Sequence, residues 1–271
     1  MHLSFSTCPN DTFIFHAMLH GKVDTEGLRF DVHMADVEEL NRAAFTGEAE
    51  VSKLSYAAFA HVAGRYLILD AGSALGRGNG PLLVAKNAFE PSEATRVAIP
   101  GRHTTAAFLL RLAFPRLTRL SEALFSDIPQ AVAQGAFDAG VLIHESRFTY
   151  AQQGLRLLAD LGQAWEQRSG LPIPLGCICI RRDIDREQQQ AFARTLRRSV
   201  DYALQNPHES RPFVKRYAQE LSDEVIGKHI AMFVNEHTRS LGSEGRRAVS
   251  ALFEAARQAG ATGQMAKDIF L

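Results

Sequence analysis

The chain is poor in cysteine, has no long apolar run and carries no excess of either charge. Its three cysteines, Cys8, Cys177 and Cys179, are odd in number and irregularly spaced. That excludes a regular disulfide framework and fits a reducing cytoplasm. Cys177 and Cys179 are expected as small buried hydrophobes rather than a metal pair. No group of histidines and acids has zinc-site spacing. No dinucleotide fingerprint, phosphate loop or G-x-S-x-G elbow is present. Lysine plus arginine and aspartate plus glutamate both total 30, which argues against the broad basic face of a nucleic-acid binder. A local charged pocket stays open, because net charge says nothing about distribution. No segment approaches the roughly 20 consecutive apolar residues of a membrane span. The stretch Met1 to Phe5 lacks the basic start and apolar core of an export signal, so none is expected.

What is present is an ordinary globular composition, 46% hydrophobic and 22% charged, over 271 residues. That length suits one large or two modest domains. Strands and helices alternate, the pattern of an α/β protein. Strands are expected at Leu3 to Ser6, Leu28 to Met34, Glu50 to Leu54 and Tyr66 to Asp70, with helices between them opening at Pro9, Asp36 and Tyr56. A glycine-rich loop, 72–81, leads to Leu82 to Ala85. The polar segment 86–93 reads as a first crossing between two lobes, after which the alternation resumes. Pro174 to Ile180 reads as the second crossing. The lobes are therefore expected at 1–86 with 178–271, and at 87–177. Beyond Asp185 the chain reads as helical, with Phe192, Leu196, Val200 and Leu204 on one face. A helix start is expected at Ser222.

One internal echo organises the candidate site. The segment 44–51 runs helix, glycine stop at Gly47, acid and strand, and ends in Ser52-Lys53-Leu54-Ser55. The segment 131–143 repeats this around Gly135 and Asp138 and ends at His144. Each lobe is thus expected to bring one strand end to a shared cleft. The apolar run Gly140 to Ile143 stops at His144, before the polar and aromatic segment Glu145 to Tyr150. A histidine at that carboxyl end faces the crevice where open α/β sheets bind ligands. An unperturbed pKa of about 6.5 suits proton transfer, with activity falling below about 6 to 7. The competing reading is a capping or surface histidine.

Other candidates keep two readings each. The turn Ser6 to Thr12 offers a helix N-terminus, either an anion site or a turn capped by Asn10 or Asp11. Thr104 and Thr105 open a helix, and either hold a carboxylate or cap it. Lys53 lies in an apolar strand, either as a cation for an acid group or as a snorkelling surface lysine. Arg77 is expected on a surface loop.

Five separated motifs then occur in order: Ser6 to Phe13, Lys53 to Tyr56, Ala74 to Gly78, Gly101 to Thr105 and Ile143 to Tyr150. With them the chain resembles the 1,4-dihydroxy-6-naphthoate synthases, lyases of the futalosine route to menaquinone. The resemblance covers nearly the whole length. It implies a two-lobed α/β fold like type II periplasmic binding proteins, each lobe a mixed sheet flanked by helices with a cleft between. It implies a cytoplasmic enzyme that takes a small-molecule carboxylate, cyclic dehypoxanthine futalosine, and needs no cofactor. It carries the proton acceptor to His144 and the substrate contacts to Ser52, Lys53, Leu54, Ser55, Thr104 and Thr105; Asn10 is added from the first turn. Thr7 departs from the family, which commonly has proline there. Nothing in the pattern separates a monomer from a homodimer. The alternatives are a chorismate dehydratase of the same fold and a solute-binding protein.

Overall fold

The computed structural model describes residues 1–218, 222–263, 266 and 268–271. The chain begins β1 (His2–Phe5), α1 (Pro9–Leu19), β2 (Asp31–Met34), α2 (Val37–Thr46), β3 (Val51–Ser55), α3 (Tyr56–Val62), β4 (Tyr66–Ile68) and β5 (Ala74–Gly76). It continues with β6 (Leu82–Ala85), β7 (Val97–Ile99), α4 (Thr105–Ala113), β8 (Leu120–Glu122), α5 (Ile128–Ala133), β9 (Ala139–Leu142), α6 (Ser146–Thr149) and β10 (Arg156–Asp160). It closes with α7 (Leu161–Ser169), β11 (Ile173–Arg181), α8 (Arg186–Gln205), α9 (Arg211–Tyr217), α10 (Asp223–Phe233), α11 (Glu236–Arg239) and α12 (Gly242–Gln258).

Two mixed sheets result. The first runs β2-β1-β3-β11-β4, with β5 also paired to β11; the second runs β10-β6-β9-β7-β8. In each, parallel pairs joined through helices sit beside antiparallel ones, as βαβ crossovers require. The echo of the sequence is an echo of structure. α2 ends at left-handed Gly47 and leads into β3, while α5 is followed by left-handed Gly135 and leads into β9. Both strands are interior to their sheets, and both point their carboxyl ends at the space between them.

The sheets divide the chain elsewhere than the sequence suggested. Leu82–Ala85, expected in the first lobe, pairs with β9 and β10 in the second sheet. Ile173–Cys177, expected in the second lobe, belongs to β11 of the first sheet. The crossings are the glycine-rich segment 77–81 and the segment 161–172 that carries α7. Polarity misled here, because 86–93 is an exposed connection within one lobe.

The long helix α8 starts at Asp185, whose carboxylate accepts from the Glu187 and Gln188 amides. Its buried face carries Phe192, Leu196, Val200 and Ala203 against α1 and β1. Leu204, expected on that face, is exposed, since 100° per residue turns it away and leaves the place to Ala203. Cys177 and Cys179 are buried side by side on one face of β11, Sγ to Sγ 3.3 Å.

The crossings touch at Gly80 and Gly162. A β-carbon on Gly80 would lie 2.2 Å from the Gly162 Cα and 2.4 Å from its N. Gly80→Ala is expected to destabilise the fold by roughly 2–3 kcal/mol, since backbone has to move. Gly64→Ala, with nothing within 4 Å of its β-carbon, is expected to leave the urea midpoint nearly unchanged. Urea melts followed by circular dichroism check both.

Candidate active site

The cleft between the sheets holds about 660 Å³ of atom-free space, its open mouth included. Its floor is built at the turn from β1 into α1. Asp11, with 0% of its surface exposed, accepts from the Ser6 hydroxyl at 2.7 Å, the Ser6 amide at 3.3 Å and Asn10 Nδ2 at 2.8 Å. Its fourth partner is Lys53 Nζ on β3, at 2.6 Å. Lys53 is therefore neither snorkelling nor an unanswered cation. Gly176 on β11 makes room for its stem, because a β-carbon there would lie 2.9 Å from Lys53 Cε.

Strand alternation sorts the expected segment 52–55. Lys53 and Ser55 line the cleft, while Ser52 and Leu54 turn to the other face. The Ser52 hydroxyl bonds the Lys53 carbonyl, and Leu54 is wholly inside the core. Ser55 is held by Asn41, whose Oδ1 accepts from the Ser55 amide at 2.9 Å and whose Nδ2 donates to its hydroxyl at 3.1 Å.

Opposite the floor stands His144, in the left-handed region at φ 55°. Histidine is among the few side chains enriched there, and such a residue marks a constrained site. The turn ends β9 and puts Ile143, His144 and Arg147 on the cleft wall. The imidazole meets Cys8 Sγ at 3.5 Å from Nε2, the edge of Phe125 at 5.0 Å between centroids, and the stacked ring of His229 at 5.9 Å. Its pKa is lowered to about 4, first by burial; the Asp11 carboxylate pulls it up and the Lys53 ammonium pushes it down. Burial, with the charges of Glu145 and Asp11, holds the Cys8 thiol well above its ordinary range. It stays a neutral neighbour rather than a competing thiolate.

Thr104 and Thr105 lie at the N-terminus of α4, on the same cleft. Both hydroxyls are already engaged. Thr104 caps the helix through the Ala107 amide, and Thr105 donates to the Leu175 carbonyl and accepts from the Ala57 amide, joining the two lobes. What α4 offers a ligand is its first backbone N–H groups, which have no acceptor within the helix, and its positive dipole end. Val37, Ala74, Pro81, Ala106, Leu175 and Phe233 supply apolar walls.

Asn10 lines the floor and links outward: its Oδ1 lies 2.9 Å from His229 Nε2. With Asn10 Nδ2 given to Asp11, Oδ1 is the acceptor and His229 the donor. His229 is fully buried, and burial, then the neighbouring His144 and Lys53, lower its pKa well below the usual value. Glu145 Oε2 approaches its Nδ1 at 3.7 Å. Sequence reasoning missed His229. It sits on the face of α10 that buries Ile226 and Phe233, and a histidine at helical spacing in an apolar stripe was the available signal. Arg77, off the cleft, pairs with Glu244 at the surface. Among the described residues, no group of three or more His, Cys, Asp or Glu is placed to hold a metal ion. No helix among them is long and apolar enough to cross a membrane.

A family model described as menaquinone biosynthesis matches residues 1–258. A 1,4-dihydroxy-6-naphthoate synthase of Thermus thermophilus is 47% identical over 271 residues, covering 100% of this chain and 99% of the relative. A Streptomyces coelicolor protein of the same name is 39% identical, covering 99% and 96%. Among solved structures, a protein of Archaeoglobus fulgidus superposes with a TM-score of 0.92 at 39% identity, covering 96% of this chain and 97% of that one. The periplasmic aliphatic sulphonate binding protein of Escherichia coli superposes with a TM-score of 0.66 at 12% identity, covering 100% and 92%, a likeness of fold alone.

Lys53→Met leaves the Asp11 carboxylate buried without its counter-ion. Breaking a buried pair in this way costs about 3–5 kcal/mol. A clear drop in the urea midpoint is expected, and an unchanged midpoint would show that the pair contributes nothing to the floor.

Proposed function

The chain belongs to the menaquinone biosynthesis family, and from that premise we propose that it is a carbon–carbon lyase with His144 as its general base. Its substrate in this reading is cyclic dehypoxanthine futalosine, and its products are 1,4-dihydroxy-6-naphthoate and a small sugar-derived fragment. The observation that carries the reading is a half-buried imidazole on the cleft wall, across from a helix N-terminus. Proton removal starts a retro-aldol-type fragmentation, and aromatisation of the bicycle drives it. The α4 N-terminus suits the substrate carboxylate, and the apolar walls suit the bicycle. Both serve orientation and the exclusion of water. Three unpaired cysteines favour a cytoplasmic setting. The ligand is a small carboxylate, and one or two copies of the chain suffice for a site made within one chain.

His144→Asn is the sharpest variant, because asparagine tolerates the left-handed backbone and removes the base. With the melting temperature nearly unchanged, kcat is expected to fall roughly a hundred- to ten-thousand-fold. Mass spectrometry on cyclic dehypoxanthine futalosine and, separately, on chorismate tests the reaction. Product from chorismate alone would sink the lyase reading.

The pH profile has a fixed sign. A base works unprotonated, and burial moves the His144 midpoint down from 6.5 to about 4. The kcat/KM of the wild type is therefore expected to hold through pH 6 and to decline only toward pH 4, below the range an unperturbed histidine suggests. An acid limb centred at 6.5 or above would contradict the desolvated imidazole.

A further inference from the structure

Asn79 lies in the first crossing, between Gly78 and Gly80, and is 2% exposed. It lines the cleft, yet neither its Oδ1 nor its Nδ2 has a hydrogen-bond partner. Interchanging the two amide atoms changes nothing, since both lack one. The other buried asparagines on the cleft side are satisfied: Asn41 by Ser55, and Asn10 by Asp11 and His229. A buried amide without partners costs free energy and asks for a reason.

The amide is also held in place. It packs on Gly76, where a β-carbon would lie 2.7 Å from Asn79 Nδ2. The Arg147 guanidinium grips the carbonyls on both sides of it, those of Gly78 and Gly80. An unsatisfied polar group fixed in a cleft wall is a preorganised ligand contact. Its chemistry narrows the ligand. A carboxamide donates and accepts, and a hydroxyl answers both roles. A carboxylate answers only the donor, and an apolar ring answers neither.

We propose that Asn79 is a specificity-determining residue that pairs with a hydroxyl of the bound substrate. This rests on the lyase reading for the identity of that substrate. With the carboxylate at α4 and the bicycle on the apolar walls, the group left for Asn79 is the oxygen-rich, sugar-derived end. Asn79 acts by binding and orientation and takes no part in proton transfer.

Asn79→Leu keeps the size and removes both polar atoms, and Asn79→Ala guards against misfit of the larger side chain. Asn79 has no positive φ, so neither substitution strains the backbone. For each, KM for cyclic dehypoxanthine futalosine is expected to rise about ten- to a hundred-fold, with kcat falling less. The Kd of naphthalene-2-carboxylate, which has the rings and the carboxylate but no hydroxyl, is expected to change less than about three-fold. A KM within about three-fold of wild type overturns the proposal, and so does equal weakening of both ligands. The unliganded variants are expected to melt at or above the wild-type temperature, because an unpaired amide has been removed. A loss of more than about 5 °C reveals a structural partner for the amide and overturns the proposal whatever the substrate. A wild-type protein that fails to turn over cyclic dehypoxanthine futalosine refutes the lyase reading instead, and the melting comparison still decides the case for Asn79.

Discussion

The buried contact between Asp11 and Lys53 is the constraint on which the cleft depends. Removing two opposite charges from water costs several kcal/mol per ion, and their attraction offsets this only when the geometry is good and the spare lone pairs are filled. Here they are filled: Ser6 and Asn10 supply the other donors to Asp11. The pair therefore fixes the end of β1, the first turn of α1 and the middle of β3 together. Through Asn10 it also reaches His229 on α10. One carboxylate thus sets the relative positions of most of the first lobe's contribution to the site.

The pair has an electrostatic consequence as well. Asp11 and Lys53 act on His144 in opposite senses, so burial is left to decide its charge. The floor is consequently polar but balanced. In the proposed reading, a substrate carboxylate meets neutral donors at α4 rather than a spare ammonium, because Lys53 is already committed to Asp11. That arrangement suits a reaction in which charge moves within the substrate. Fixed dipoles stabilise it without holding the product as firmly as a free cation would.

Much of this was legible in the residues. The repeated helix, glycine and strand of 44–55 and 131–144 marked the two interior strands and both sides of the cleft, since glycine stops and apolar runs are local signals. The resemblance carries Ser52 to Ser55 to the site as one block, and only the strand's two faces separate Lys53 and Ser55 from Ser52 and Leu54. The crossings were not legible. Leu82–Ala85 and Ile173–Cys177 are apolar stretches whose sheet is set by long-range pairing, which no local pattern encodes. His229 was hidden because a buried histidine in an apolar stripe has the same spacing as any core residue. Asn79 was hidden because between two glycines it reads as turn chemistry; only its burial distinguishes it.

The left-handed turn at His144 explains why the simple strand rule fails at the most important place. Successive strand residues point to opposite faces, which separates His144 from Glu145. At φ 55° the chain is no longer a strand, and both residues approach the same ring: His144 stacks on His229, and Glu145 comes to its Nδ1. His144 and Glu145 belong to the second lobe, and His229 packs on the first. The burial that keeps the imidazole neutral is thus partly supplied across the cleft. Water admitted by separating the lobes would return the imidazole toward its ordinary proton affinity. In the proposed lyase reading, the packing that keeps water from the ring also keeps it unprotonated, as a base requires.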